Sequence, residues 1–143
     1  MATTGIYLNF SNETEKAFKF YKSVFGGEFV GGISRFGEAP KDPTFPLLSA
    51  DKNLVMHVAL PILGGVMLMG TDAPASMGFH VKAGNNVYIS LNPDTRAEAD
   101  RLFRELSAGG KVEMPMTDMF WGDYYGSFCD KFGVQWMINT STK

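Results

Sequence analysis

Residues 119–139 read MFWGDYYGSFCDKFGVQWMIN, and seven of these residues are aromatic. Two apolar runs, Tyr124–Cys129 and Val134–Ile138, flank Asp130-Lys131-Phe132-Gly133. Aromatic and β-branched side chains favour a pleated surface. Asp and Gly supply the backbone geometry of a tight turn. The stretch predicts a strand, a turn and a second strand.

Working outward, the same order of elements occurs twice. Gly5–Phe10 predicts a strand, and Ser11 or Asn12 is placed to cap a helix. Glu13 and Glu15 fall in its first turn, where the helix dipole favours acids. Ala17, Phe20, Tyr21 and Val24 recur at i, i+3, i+4 and i+7, one apolar stripe of helical period. Gly26-Gly27 ends the helix. Glu28–Ile33 predicts a returning strand that continues toward Arg35-Phe36. Gly37–Asp51 carries Pro40, Pro43 and Pro46 and predicts a long loop, read equally as a surface excursion or as the border of a ligand site. Leu54–Leu60 is a strand candidate with His57 near its middle. Pro61–Gly65 turns the chain, and Val66–Met69 is a further strand, ended by Gly70-Thr71-Asp72.

Ala73–Asn85 lacks strong periodicity and reads as a linker. Val87–Leu91 then repeats Ile6–Phe10. Asn92-Pro93-Asp94-Thr95 opens a helix with the stripe Ala99, Leu102, Phe103 and Leu106, and Gly109-Gly110 closes it. Lys111–Met114 begins a strand, Pro115–Met119 is a connection, and the aromatic hairpin completes the half. The chain thus reads as β-α-β-β-β twice, with the offset drifting from 81 to 83 residues. The expected organisation is one domain over 1–143 built from modules at 5–72 and 86–140, joined by a linker at 73–85. Repeated modules commonly share a core, because one small sheet cannot cover its own face.

Composition narrows the function. The 143 residues are 45% hydrophobic and 20% charged, with a net charge of −2, so neither disorder nor a basic nucleic-acid surface is indicated. One cysteine, Cys129, excludes an intramolecular disulfide and cysteine-rich metal motifs. No stretch reaches 18 apolar residues, and the N-terminus lacks signal-peptide character, which sets the expectation of a cytoplasmic protein without a membrane partner. No dinucleotide fingerprint or phosphate loop is present.

Four segments carry a resemblance: IYLNFSNETEKAFKFYKSVFGGEF at 6–29, LVMHVAL at 54–60, GVMLMGTD at 65–72 and MTDMFWGDYYGSFCDKFGVQWMIN at 116–139. In this order they resemble the vicinal oxygen chelate superfamily of glyoxalase, bleomycin-resistance and dioxygenase proteins, and within it the PhnB-like branch. The resemblance implies an α+β fold in which two βαβββ modules form a curved mixed sheet around a cavity. It implies a homodimer, and a divalent metal held by His or Glu from the first and last strands of each module. Carried over within one residue of register, those positions fall at Gly5 or Ile6, at Leu68 beside Met67 and Met69, at Asn86 or Val87, and at Met137. None is His, Glu, Asp or Cys, the groups zinc requires. No cofactor is therefore expected, and a displaced metal near His57 is the alternative.

The candidate ligand-binding residues are Asn9, Arg35, His57, Trp121, Tyr124, Tyr125 and Met137. His57 is also the catalytic candidate, because imidazole exchanges protons near neutral pH. Its competing reading is a half-buried histidine satisfied by a backbone carbonyl or an acid. Trp121 offers an apolar face and one N–H. Tyr124 and Tyr125 must point to opposite sheet faces. Arg35 is either an anion partner at a pocket mouth or a solvated surface residue. Met137 belongs to a methionine set suited to an adaptable pocket or to ordinary core packing. Cys129 reads as a small buried hydrophobe, and Asp130 as the residue that fixes the turn. The leading function is metal-independent binding of a small molecule. The alternatives are a lyase, isomerase or oxygenase centred near His57, and a dimeric structural or regulatory module.

Overall fold

The structure is a computed structural model, and it describes residues 1–44 and 47–141. It forms two compact units, Met1–Val81 and Lys82–Lys143. In the first unit the order is β1 (Ile6–Phe10), α1 (Thr14–Phe25), β2 (Ser34–Arg35), β3 (Val55–Pro61) and β4 (Met67–Asp72). In the second it is β5 (Ile89–Leu91), α2 (Arg96–Ser107), β6 (Lys111–Asp118), β7 (Asp123–Cys129) and β8 (Gln135–Ser141). The first sheet has the order β1-β4-β3-β2 and the second β5-β8-β7-β6. In both, the module's first strand lies parallel to its last, and the remaining pairings are antiparallel. The fold is α+β, a repeated βαβββ unit giving two mixed sheets. No helix among the described residues is long and apolar enough to cross a membrane.

Each helix covers one face of its own sheet. On α1 the buried residues are Thr14, Ala17, Phe18, Tyr21 and Val24. Phe18 therefore occupies the stripe position expected for Phe20, which is only half-buried. The helix rotates to seat Phe18 over Gly70, where an added Cβ would lie 2.5 Å from the Phe18 ring. This close approach is why Gly70 sits inside β4 rather than ending it: the strand runs on through Gly70-Thr71-Asp72, held between β1 and β3. On α2 the buried residues are Ala99, Leu102 and Leu106. Phe103 meets Phe128 edge-on with centroids 5.0 Å apart.

The helix starts differ from the sequence reading in one module. Neither Ser11 nor Asn12 caps α1, whose N-cap is Glu13 without a side-chain bond. Instead Asp72, at the end of β4, accepts from the Thr14 N–H at 3.1 Å and the Thr14 hydroxyl at 2.7 Å. Its other oxygen accepts from the Val55 N–H at 2.8 Å. On α2 the cap is local, and the Thr95 hydroxyl accepts from the Glu98 N–H at 3.1 Å.

Two further expectations are corrected. Glu28–Ile33 is not a strand, because Gly31 and Gly32 adopt φ of 74° and 71° and turn the chain, leaving β2 only two residues long. Pro115–Met119 is not a connection, because β6 continues through Pro115 to Asp118. A proline is tolerated there since β6 is the sheet edge, and the ladder slips in register before it and again across it, between Met114 and Thr117. Within the expected loop Gly37–Asp51, Ser49–Asp51 forms a 3-10 turn, and Pro46 lies outside the described residues.

The hairpin at residues 123–141 forms as its composition requires. Asp130 accepts from the Phe132 and Val134 N–H groups at 2.8 and 3.0 Å, which fixes the turn. Its second oxygen accepts from the Trp136 indole at 2.8 Å.

Candidate functional site

Strand alternation divides each sheet into a helix-covered face and an open one. In the first unit, Val58, Leu60, Leu68 and Gly70 lie on the face under α1. Tyr7 pairs across to Met69 and Ala59 on the other face, and Asn9 to Thr71. His57 joins that face opposite Ser34. Tyr7 and Asn9 are exposed, whereas His57, Met69 and Thr71 are half-buried. The Tyr7 hydroxyl lies 3.1 Å from His57 Nδ1, and the two rings sit 5.8 Å apart at a 36° tilt. Burial raises the Tyr7 pKa, which keeps the hydroxyl protonated. The sequence reading missed Tyr7. The alternation that set Asn9 apart from Ile6, Leu8 and Phe10 carries Tyr7 to the same face, so the signal was present.

Arg35 stands elsewhere. Its guanidinium forms a two-pronged pair with Glu15 of α1 at 3.0 and 3.1 Å and donates to the Asn53 carbonyl at 2.8 Å. The Arg35 bond, aided by Lys19, holds the Glu15 carboxyl down at a pKa of about 2. Arg35 thus acts as a fastener between β2 and α1.

In the second unit, Tyr124 and Tyr125 separate. Tyr124 faces α2: its hydroxyl donates to Asp100 at 2.5 Å, and the Arg96 guanidinium lies 3.8 Å above its ring. Arg96 also pairs with Asp118. Tyr125 faces the open side, across from Asn139, and Met137 lies one step along beside Ser127 and Ser90. Trp121, half exposed in the β6–β7 loop, donates its indole N–H to Asp123 at 3.2 Å, and Asp123 also accepts from the Asn139 amide at 3.2 Å. The open face of the second sheet therefore carries Trp121, Asp123, Tyr125, Met137 and Asn139 at one end. Cys129 is half-buried at the far end of β7, opposite Gln135, and burial raises its thiol pKa, as expected of a packing cysteine.

The metal expected of the fold does not fit the residues present. Leu68 is fully buried on the helix face, so the positions of β4 that reach the open face are Met67 and Met69. Asn86 and Val87 precede β5, whose open-face residue is Ser90. Methionine, serine, asparagine and glycine supply no anionic or imidazole ligand. Among the described residues, no three His, Cys, Asp or Glu side chains gather to hold a metal ion.

Known proteins share this arrangement. Protein YjdN of Escherichia coli strain K12 is 30% identical over 139 residues, covering 93% of this chain and 91% of that protein. The crystal structure of protein PA1353 from Pseudomonas aeruginosa superposes with a TM-score of 0.84 at 33% identity, covering 99% of this chain and 98% of that one. The PhnB protein of Bacillus cereus superposes at 0.76 with 25% identity, over 98% of this chain and all of that one. The Glyoxalase/Bleomycin resistance protein/Dioxygenase superfamily profile matches residues 7–138. With its paired βαβββ units and PhnB-like structural relatives, the chain belongs to that superfamily.

Proposed function

We propose that the protein binds a small molecule without a metal, on the open face of its N-terminal sheet. The observation that carries this reading is the Tyr7–His57 pair, a polar couple standing among Asn9, Met69 and Thr71 on a face its helix leaves uncovered. Apolar surroundings with a few placed polar groups are the usual composition of a ligand site. The family's metal positions support the metal-free half of the reading, because the residues there cannot ligate. In this proposal Asn9 and His57 touch the ligand, and Tyr125, Met137 and Trp121 serve the open face of the second sheet. Arg35 and Tyr124 are assigned to packing, since each is engaged by its own helix. A ligand screen by thermal shift, repeated with His57→Ala, tests the reading. Stabilisation by a hit that disappears in the variant supports it. Calorimetric titration with zinc, nickel and manganese checks the other half, and tight near-stoichiometric binding defeats it.

An enzyme reading draws on the same hydrogen bond, because a ring oriented through Nδ1 presents Nε2 in a fixed direction for proton transfer. Turnover that His57→Ala abolishes while ligand affinity persists would favour it. We further propose a homodimer. Val112 and Met114 on the edge strand, and Phe120 beyond it, are exposed apolar groups that self-association would cover. Sedimentation of the wild type gives the mass directly.

A further inference from the structure

We propose that Tyr7 fixes the neutral His57 ring with its proton on Nε2, so that this face presents a hydrogen-bond donor and takes an uncharged ligand with a carbonyl acceptor on an apolar body. The ligand class rests on the binding reading above; the arrangement of the pair does not.

A neutral imidazole has one donor nitrogen and one acceptor nitrogen, and the bond made by one decides the other. Nδ1 lies 3.1 Å from the Tyr7 hydroxyl. Two arrangements satisfy that distance. The phenol donates to a bare Nδ1, or a protonated Nδ1 donates to the phenol oxygen. In the second, the phenol proton turns to solvent, because Tyr7 is 47% exposed and, among the described residues, its hydroxyl meets no acceptor besides Nδ1. Burial keeps that hydroxyl protonated well past neutrality, so it remains a donor. A phenol is also the better donor of the two, and its oxygen the poorer acceptor, because its lone pair is delocalised into the ring. The first arrangement therefore uses both groups, and the ring proton falls on Nε2. Among the described residues Nε2 meets no acceptor, so its N–H is left for a ligand.

The neighbours select the ligand. On the same face stand Ser34, Asn9, Ala59, Met69 and Thr71, none of them charged. The Thr71 hydroxyl is turned back on the Val55 and Asp72 carbonyls. The nearest strand cation, Arg35, is committed to Glu15. An anion finds no fixed counter-charge here. A carbonyl finds an N–H, and the carbon skeleton behind it finds the half-buried Met69.

The experiment reads the ring directly. Long-range proton–nitrogen correlation on protein labelled with nitrogen-15 histidine, at pH 8.5, gives the tautomer ratio at His57. The expected result is dominance of the Nε2–H form in the wild type and a several-fold fall in that ratio in Tyr7→Phe. An Nδ1–H ring, or a ratio that Tyr7→Phe leaves unchanged, overturns the proposal. Acetophenone and ethylbenzene then serve as matched probes, differing in one carbonyl. Acetophenone should shift the His57 Nε2 resonance and bind several-fold tighter than ethylbenzene, with the advantage narrowing in Tyr7→Phe. Equal affinities overturn the carbonyl assignment. If neither probe shifts the Met69 methyl signal, the ligand class fails together with the binding reading, and the tautomer ratio still decides the Tyr7–His57 arrangement by itself.

Discussion

The two units share one chain path and secure it by different means. Each buries one carboxylate among the described residues, Asp72 in the first and Asp130 in the second. Asp72 ties a strand end to a helix start and to the start of β3. Asp130 ties a hairpin turn and the fully buried Trp136. In the pairing register, Ile6 stands opposite Leu68 as Ile89 stands opposite Trp136, which puts Thr140 where Asp72 stands. Thr140 donates to the Pro93 carbonyl at 2.8 Å and leaves α2 to its own threonine cap. The topology requires that the last strand be pinned to the segment before the helix. It does not dictate which chemistry does the pinning.

The widest gap between the units should open when the carboxylates are removed. Asp130→Ala strands the buried Trp136 indole and two part-buried backbone donors and frees the hairpin turn, and we expect a loss of about 4 kcal/mol in urea unfolding. Asp72→Ala should cost about 3 kcal/mol, because the Thr14 hydroxyl can rotate toward another acceptor. An inverted ranking would place the heavier demand on the helix start.

Next in size come the glycines beneath the helices. Gly70→Ala forces a Cβ to 2.5 Å from the fully buried Phe18, at an expected cost of about 2–3 kcal/mol. Its counterpart under α2 is Gly126, where a Cβ would meet Met116 sulfur at 2.7 Å and Phe103 at 2.8 Å. Both of those side chains are only half-buried and can move, but the Met114 carbonyl at 3.0 Å is backbone, so Gly126→Ala should cost about 1–2 kcal/mol. Thermal melts of the two variants, with Phe18→Leu added to Gly70→Ala as a rescue, check the contrast.

Capping gives a smaller difference. Thr95→Ala should lose about 1 kcal/mol, whereas Ser11→Ala should be near neutral because Asp72 does the capping of α1. Equal losses would show that Ser11 caps α1 in solution.

The smallest effect is a pH dependence carried by one carboxyl of the first unit. Glu15 has its carboxyl lowered from 4.5 to about 2 by Arg35 first and Lys19 second. A depressed folded-state pKa contributes stability that is complete above pH 4.5 and fades as pH falls through about 2. The Glu15 side chain is a third exposed, so solvent screening keeps this below about 1 kcal/mol. Glu15→Gln should flatten that part of the acid limb, followed by circular dichroism.

Much of this was legible in the sequence because it is periodic. The stripe on α2, the hairpin and the repeated order all follow from spacing. The errors lie where a distant partner overrides a local signal. Phe18 displaced Phe20 because Gly70, in another strand, opened a space for its ring. Ser11 and Asn12 look like caps, but a carboxylate far along the chain does their work. Pro115 looks like a break, yet it is harmless on an edge that the sequence does not identify as one. At the candidate site, alternation showed that Tyr124 and Tyr125 must part, but the direction depended on Asp100 and Arg96 of α2. Tyr7 was missed because an aromatic residue in a short strand reads as packing until His57 is seen beside it.

The parallel pairing of first and last strands also has a kinetic consequence. Ile6 finds its neighbour at Leu68, and Ile89 finds its own at Trp136. Neither opening strand can dock until its module has been synthesised almost to the end. Such long-range closure carries its loop entropy before any contact rewards it. On a ribosome, β1 should therefore wait as an unpaired edge until β4 emerges, whereas the β7–β8 hairpin can zip locally as soon as its turn is out. The second unit has its local hairpin at the middle of its sheet, against which β5 can then dock. The first unit likewise has the β3–β4 hairpin at the middle of its sheet, joined through residues 62–66, and only its two-residue edge strand β2 lies across the long loop, so in both units the closing step should be the docking of the opening strand.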